Sequence, residues 1–146
     1  VREKIAKFFD DKYLYAGLTY NGHALACAAA LATIDTYVED HIFENALEVG
    51  AYLGRRLEDL KAKHPSVGDV RYIGMFTALE LVKDRQNKEP MDLTPLKNFL
   101  IMNGVYVFNF KNILFIVPPL IITREQLDEG LDLLDEGLSE LMDKPA

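Results

Sequence analysis

The run Ala24-Leu25-Ala26-Cys27-Ala28-Ala29-Ala30-Leu31-Ala32 constrains this chain more than any other stretch. Alanine and leucine are strong helix formers, so the run predicts a helix. That helix is apolar on every side, and a helix of this kind is expected to be covered by other layers of structure. It is fed by Gly17-Leu18-Thr19-Tyr20-Asn21-Gly22-His23, a polar turn flanked by glycines. Gly17 and Gly22 allow a tight bend or a close approach of the backbone. Thr19 or Asn21 can cap the first turn. Unpaired amides at a helix start, together with a threonine hydroxyl, make a seat for a phosphate. A capped, buried helix after a loop fits the same residues. From Thr33 to Asp40 the pattern turns amphipathic, with Ile34, Tyr37 and Val38 apolar, and a break is expected at Glu39-Asp40-His41.

Either side of this stretch the periodicities predict further elements. Ile5, Phe8 and Phe9 share one face of a short helix closed by Asp10-Asp11, and Tyr13-Leu14-Tyr15 reads as a short extended piece. Phe43, Ala46/Leu47, Gly50, Leu53, Leu57 and Leu60 recur at helical spacing, and the helix stops near His64-Pro65. Val67 to Val70 reads as a turn into one strand over Arg71 to Lys83, with Met75, Thr77, Leu79 and Leu81 on one side. Leu93 to Met102 predicts a helix with Leu96, Phe99, Leu100 and Met102 inward, stopped by Asn103-Gly104. The runs 105–108 and 113–117 predict a hairpin, ended by Pro118-Pro119. Thr123-Arg124-Glu125-Gln126 is a capping box for a last helix with Leu127, Leu131, Leu134, Leu138 and Leu141 as its seam. The expected fold is α+β: a small, mostly antiparallel sheet with helices on one face, preceded by the buried apolar helix.

Charge narrows the function classes. The net charge is −7, which disfavours general binding to nucleic acid or to an anionic membrane. The run 24–32 is too short to span a bilayer. Cys27 is the only cysteine, which excludes an internal disulfide and fits a reducing, cytoplasmic setting. Within the apolar helix it reads as a small filler rather than an activated thiolate. No cluster with metal-ligand spacing is present in the sequence.

The residues Leu18-Thr19-Tyr20-Asn21-Gly22-His23-Ala24-Leu25-Ala26-Cys27-Ala28-Ala29-Ala30-Leu31-Ala32 resemble the T-Y-x-G-H-P-x-x-C-A-A-A-L-A signature of class III aminotransferases. Val67-Gly68-Asp69-Val70-Arg71-Tyr72-Ile73-Gly74-Met75 resembles that family's V-G-D-V-R-G-x-G-L, and Pro118-Pro119-Leu120-Ile121-Ile122-Thr123 its P-P-L-I-I-T. These are pyridoxal-phosphate enzymes of fold type I, and the resemblance is to their C-terminal third. It implies that residues 1–40 are a remnant of the large cofactor domain with an interdomain helix, and that residues 41–146 are the C-terminal small domain. It also implies a homodimer acting on an amine and a 2-oxo acid. The rival expectations are a stand-alone α+β interaction module and a degenerate homologue that binds a phosphorylated ligand without turnover.

The resemblance assigns roles residue by residue. Thr19 matches the threonine whose hydroxyl binds the cofactor phosphate across the dimer interface. Tyr20 either lines the site entrance or packs. His23 reads as structural, since no carboxylate or nucleophile accompanies it in sequence. Arg71 is the only arginine in a glycine-flanked apolar stretch; it clamps a substrate carboxylate or forms an ion pair, for which Glu80 is a partner. Two departures stand out. Ala24 replaces the usual proline. Where members acting on α-amino acids carry an arginine before Pro-Pro-Leu, or amine-preferring members carry one earlier in the hairpin, this chain has Phe115 and Phe108. An aromatic-walled pocket then favours an ω-amine or ω-amino acid as donor. In the family the lysine that forms an imine with the cofactor lies upstream of the threonine motif, so the resemblance implies that it lies upstream of Val1; Lys4, Lys7 and Lys12 match no such motif. By itself the 146-residue chain is expected to be inactive.

Overall fold

A computed structural model describes residues 1–143. The chain divides into two compact units, Val1–Thr36 and Tyr37–Ala146. In the first, α1 (Glu3–Phe8) is followed by residues without regular structure, so the extended piece expected at Tyr13–Tyr15 joins no ladder. The turn before α2 (Ala24–Glu39) is closed by its own polar groups. The Asn21 amide donates to the Ala16 carbonyl at 2.9 Å, and Gly22 takes φ 68°. Within α2, Thr33 and Thr36 donate their hydroxyls back to the carbonyls of Ala29 and Ala32, which satisfies both side chains within the helix. One expectation is corrected here. No residue of α2 is buried, and Cys27 is exposed. The apolar surface exists as the sequence requires.

The second unit carries the sheet. His41, in the left-handed region at φ 53°, breaks the chain before α3 (Ile42–Lys63). The buried stripe of α3 is Ile42, Val49, Gly50, Leu53, Gly54, Leu57 and Leu60. Phe43 and Leu47, expected inward, point out, Leu47 being 72% exposed. The stripe is set by Gly50 and Gly54, whose lack of a side chain lets α3 approach the strands. A Cβ on Gly50 would lie 2.8 Å from the backbone carbonyl carbon of Gly74, and one on Gly54 would lie 2.5 Å from the Tyr72 ring.

The single strand expected over 71–83 is instead a hairpin. β1 (Val67–Ile73) and β2 (Phe76–Asp84) pair antiparallel around Gly74-Met75, with Ile73 opposite Phe76 and Gly74 at φ 55°. Met75 therefore lies in the turn. A short β3 (Glu89–Pro90) pairs with the end of β2. β4 (Phe108–Phe110) and β5 (Ile113–Ile116) form the second hairpin, which starts later than the expected 105–108; Val105 to Val107 lead into it unpaired. The sheet order is β1-β2-β5-β4, antiparallel throughout, with β2 in the middle.

Helices cover one face of this sheet, as expected. Leu79, Leu81 and Leu114 on that face pack with Leu53 and Leu57 of α3, Leu96 and Leu100 of α4 (Thr94–Met102), and Leu127, Leu131 and Leu134 of α5 (Arg124–Gly137). Thr77 is buried there but donates to the Ile116 carbonyl at 2.7 Å, so it adds no orphan group. Met102, expected inward, is 84% exposed. The capping box of α5 forms as expected: the Gln126 amide donates to Thr123 Oγ1 at 3.2 Å, and the Thr123 amide donates to Gln126 Oε1 at 3.1 Å. The seam holds through Leu138 and then shifts. Residues Leu138–Met142 form a π turn, in which the Asp143 amide reaches the Leu138 carbonyl at 3.0 Å. The extra residue in that turn carries Leu141 out to 40% exposure and puts Met142 inside in its place. No helix among the described residues is long and apolar enough to cross a membrane.

Candidate functional site

The residues singled out in sequence fall into two groups, one in each unit. In the first unit Thr19 lies in the exposed turn that opens into α2, and its hydroxyl has no hydrogen-bond partner among the described residues. Tyr20 is exposed and meets the His23 ring edge-on at 5.9 Å. The amides of the first turn of α2 have no partner within their own helix. The turn thus offers a hydroxyl and amide donors, a set suited to an anionic oxygen.

In the second unit the strand register brings together residues far apart in sequence. Arg71 lies opposite Ala78, Ala78 opposite Phe115, and Phe115 opposite Phe108. Arg71, Phe115 and Phe108 therefore stand in one row across all four long strands, on the face that the helices leave uncovered. The Phe108 and Phe115 rings are 5.7 Å apart, and Phe76, which sequence reasoning did not select, stands 6.0 Å from Phe115. Beside this row is a hollow of about 420 Å³ lined by Arg71, Ile73, Phe76, Ala78, Ile113 and Phe115. A larger groove of about 800 Å³ runs on from Phe108 and Phe115, along residues 104–107, towards α5.

The one cation in the row is already engaged. The Arg71 guanidinium lies 3.5 Å from Glu80 and 3.8 Å from Asp69. Both distances are longer than a tight charge-assisted hydrogen bond, and the Arg71 side chain is half exposed. Asp69 has a second partner, Lys61 at 3.1 Å, whose hydrogen bond holds the Asp69 carboxyl below its ordinary range. Arg71 is thus positioned by carboxylates while one side of it faces the apolar hollow.

Comparison with known proteins decides the family. The family model for aminotransferase class-III matches residues 1–138. The chain belongs to the class-III aminotransferases. It is 34% identical over 141 residues to the adenosylmethionine-8-amino-7-oxononanoate aminotransferase of Methanocaldococcus jannaschii, covering 93% of this chain and 30% of that one. It is 34% identical to a probable 4-aminobutyrate aminotransferase of Bacillus subtilis, covering 84% and 29%. Among solved structures, the taurine:2-oxoglutarate aminotransferase of Bifidobacterium kashiwanohense, in complex with PLP and glutamate, superposes with a TM-score of 0.87. That match has 36% identity over 99% of this chain and 34% of the other. This class-III chain spans about a third of the length of the relatives it matches.

One polar cluster of this class-III chain escaped sequence reasoning altogether. His64, at the end of α3, is 1% exposed and faces two carboxylates. Its Nδ1 lies 2.5 Å from Asp143 Oδ2, and its Nε2 meets Asp135 Oδ1. Burial opposes ionisation of both aspartates. Hydrogen bonds from Lys63 and His64 at Asp135, and from Ser66 and His64 at Asp143, outweigh it, so both carboxyls sit below the ordinary aspartate range. The only sequence signal was a histidine before Pro65; its acidic partners lie 71 and 79 residues further on.

Proposed function

We propose that this chain is the C-terminal part of a pyridoxal-phosphate-dependent transaminase that moves an amino group from an amine or ω-amino acid to a 2-oxo acid. On this reading residues 1–40 end the cofactor domain and residues 41–146 are the small domain that closes over substrate. The enzyme is a cytoplasmic homodimer, and the cofactor-bearing lysine lies in sequence before Val1. The observation that carries the reading is the family match over residues 1–138, which includes the Thr19 turn.

Pyridoxal phosphate, when bound, supplies the electron sink that labilises a bond at the amine-bearing carbon. Thr19 fits that group as a phosphate donor: it is exposed, its hydroxyl is otherwise unengaged, and it lies in the turn that opens into α2, whose first turn carries neutral amide donors. Tyr20, on the same turn, lines the entrance. Phe108 and Phe115 form an apolar wall, which holds a hydrocarbon tail and leaves no partner for an α-carboxylate. Arg71, engaged by Glu80 and Asp69, takes a carboxylate only by exchanging one of those partners, which suits a carboxylate remote from the reacting amine.

The donor preference is open to direct test. Steady-state kinetics of the complete enzyme should give a higher kcat/KM for ω-amines and ω-amino acids than for α-amino acids. Phe115→Arg should narrow that preference by supplying the missing cation. A strong preference of the unmodified enzyme for α-amino acids would overturn the donor assignment.

A further inference from the structure

We propose that Asn21 is a site of spontaneous deamidation, at which the backbone nitrogen of Gly22 attacks the Asn21 side chain and converts it to an acid. Asparagine followed by glycine occurs twice in the chain, as Asn21-Gly22 and Asn103-Gly104. Glycine matters because it has no Cβ to hinder the approach of its nitrogen to the asparagine side chain. The two pairs are alike in several respects. All four residues are exposed, and Gly22 and Gly104 take φ 68° and 85°. Each asparagine side chain donates to a carbonyl at 2.9 Å, Asn21 to Ala16 and Asn103 to Phe99.

The nucleophile separates them. The Gly104 amide donates to the Ile101 carbonyl at 3.1 Å, and the Val105 amide after it to the Leu100 carbonyl at 2.8 Å. That peptide is pinned in the helix stop after α4. The Gly22 amide has no acceptor among the described residues, while the amides on either side of it do: Asn21 donates to the Leu18 carbonyl at 3.1 Å and His23 to the Tyr20 carbonyl at 3.3 Å. A Cβ built on Gly22 would meet nothing within 4 Å, so water reaches this peptide.

The chemistry needs only water. The Gly22 nitrogen bonds to Asn21 Cγ, the Cγ–Nδ2 bond breaks, and the proton lost from the glycine nitrogen leaves with Nδ2 as ammonia. Water then opens the cyclic imide at either carbonyl, giving aspartate or a backbone rerouted through the side chain as isoaspartate. One water is consumed, one ammonia is released, and nothing is oxidised or reduced. The product undoes the turn, because an ionised carboxylate has no hydrogen to donate to the Ala16 carbonyl. It also sets a negative charge two residues from Thr19, which disfavours an anion there. That last consequence rests on the reading of Thr19 as a phosphate donor; the modification itself does not.

The complete protein, aged at neutral and at mildly alkaline pH and then digested, tests this by peptide mass spectrometry with chromatographic separation of isoaspartate. Asn21 should convert about tenfold faster than Asn103, the factor one hydrogen bond on the Gly104 amide is worth. Conversion should be faster at the higher pH, where the amide nitrogen gives up its proton more readily. In guanidinium chloride the two rates should converge, because the fold and not the dipeptide sets the difference. Asn21→Gln, which would have to close a larger ring, should remove the modification at this position. Folded protein in which Asn21 stays intact, or in which Asn103 converts as fast or faster, would overturn the proposal. Should the Asn21 modification appear without any rise in the pyridoxal-phosphate requirement, the deamidation site stands and the phosphate reading of Thr19 fails.

Discussion

Replacing Thr19 by alanine in the proposed transaminase is expected to raise the pyridoxal-phosphate concentration needed for half-maximal activity by about 10- to 100-fold. That range corresponds to losing a hydrogen bond to a charged group, about 1.5–3 kcal/mol. The effect should fall on cofactor affinity rather than on kcat at saturating cofactor, because the hydroxyl is proposed to hold the phosphate and not the reacting atoms. Thr19→Ser keeps the hydroxyl and should recover most of the affinity. The turn should survive the alanine change, since its closing bonds run from Asn21 to Ala16 and Leu18, not through the Thr19 side chain. An alanine variant that saturates at the unmodified enzyme's cofactor concentration would leave Thr19 as a turn residue only.

The second large effect concerns the fold that holds the row of site residues. Leu79 is fully buried at the middle of β2, flanked in register by Val70 of β1 and Leu114 of β5. Truncating it to alanine leaves a cavity that neighbours on both sides are too constrained to fill. The expected loss is about 2–5 kcal/mol, measured by urea unfolding followed by far-ultraviolet circular dichroism. Leu141 is the informative contrast. The regular seam would have placed it inside, but the π turn puts it outward, so Leu141→Ala should cost no more than about 0.5 kcal/mol. Equal losses at the two positions would mean that the last turn is an ordinary α-helical one.

What could be read from the residues alone was local. The capping box at Thr123, the helix stop before Pro65 and the glycine stop at Gly104 each depend on neighbours within a few positions, and each forms. The first hairpin was missed because Gly74-Met75 lacks the asparagine or aspartate before glycine that marks a two-residue turn, and apolar residues continue through it. The shift from Leu141 to Met142 was missed because a π turn leaves no signature in a leucine repeat. For the site, the chemistry of Arg71, Phe108 and Phe115 was visible one residue at a time. Their common row was not, because register between strands is fixed by long-range packing. The apolar helix shows a different limit. Its composition says that it needs a cover, and no residue of it is buried.

We propose that this class-III sequence works as the C-terminal part of a larger transaminase. The most direct test is the mass of the native polypeptide in its source cells, on a denaturing gel probed with an antibody to this segment. The expected result is a band several times heavier than 16.5 kDa, carrying transaminase activity on immunoprecipitation. A sole band at 16.5 kDa, with no activity, would contradict it.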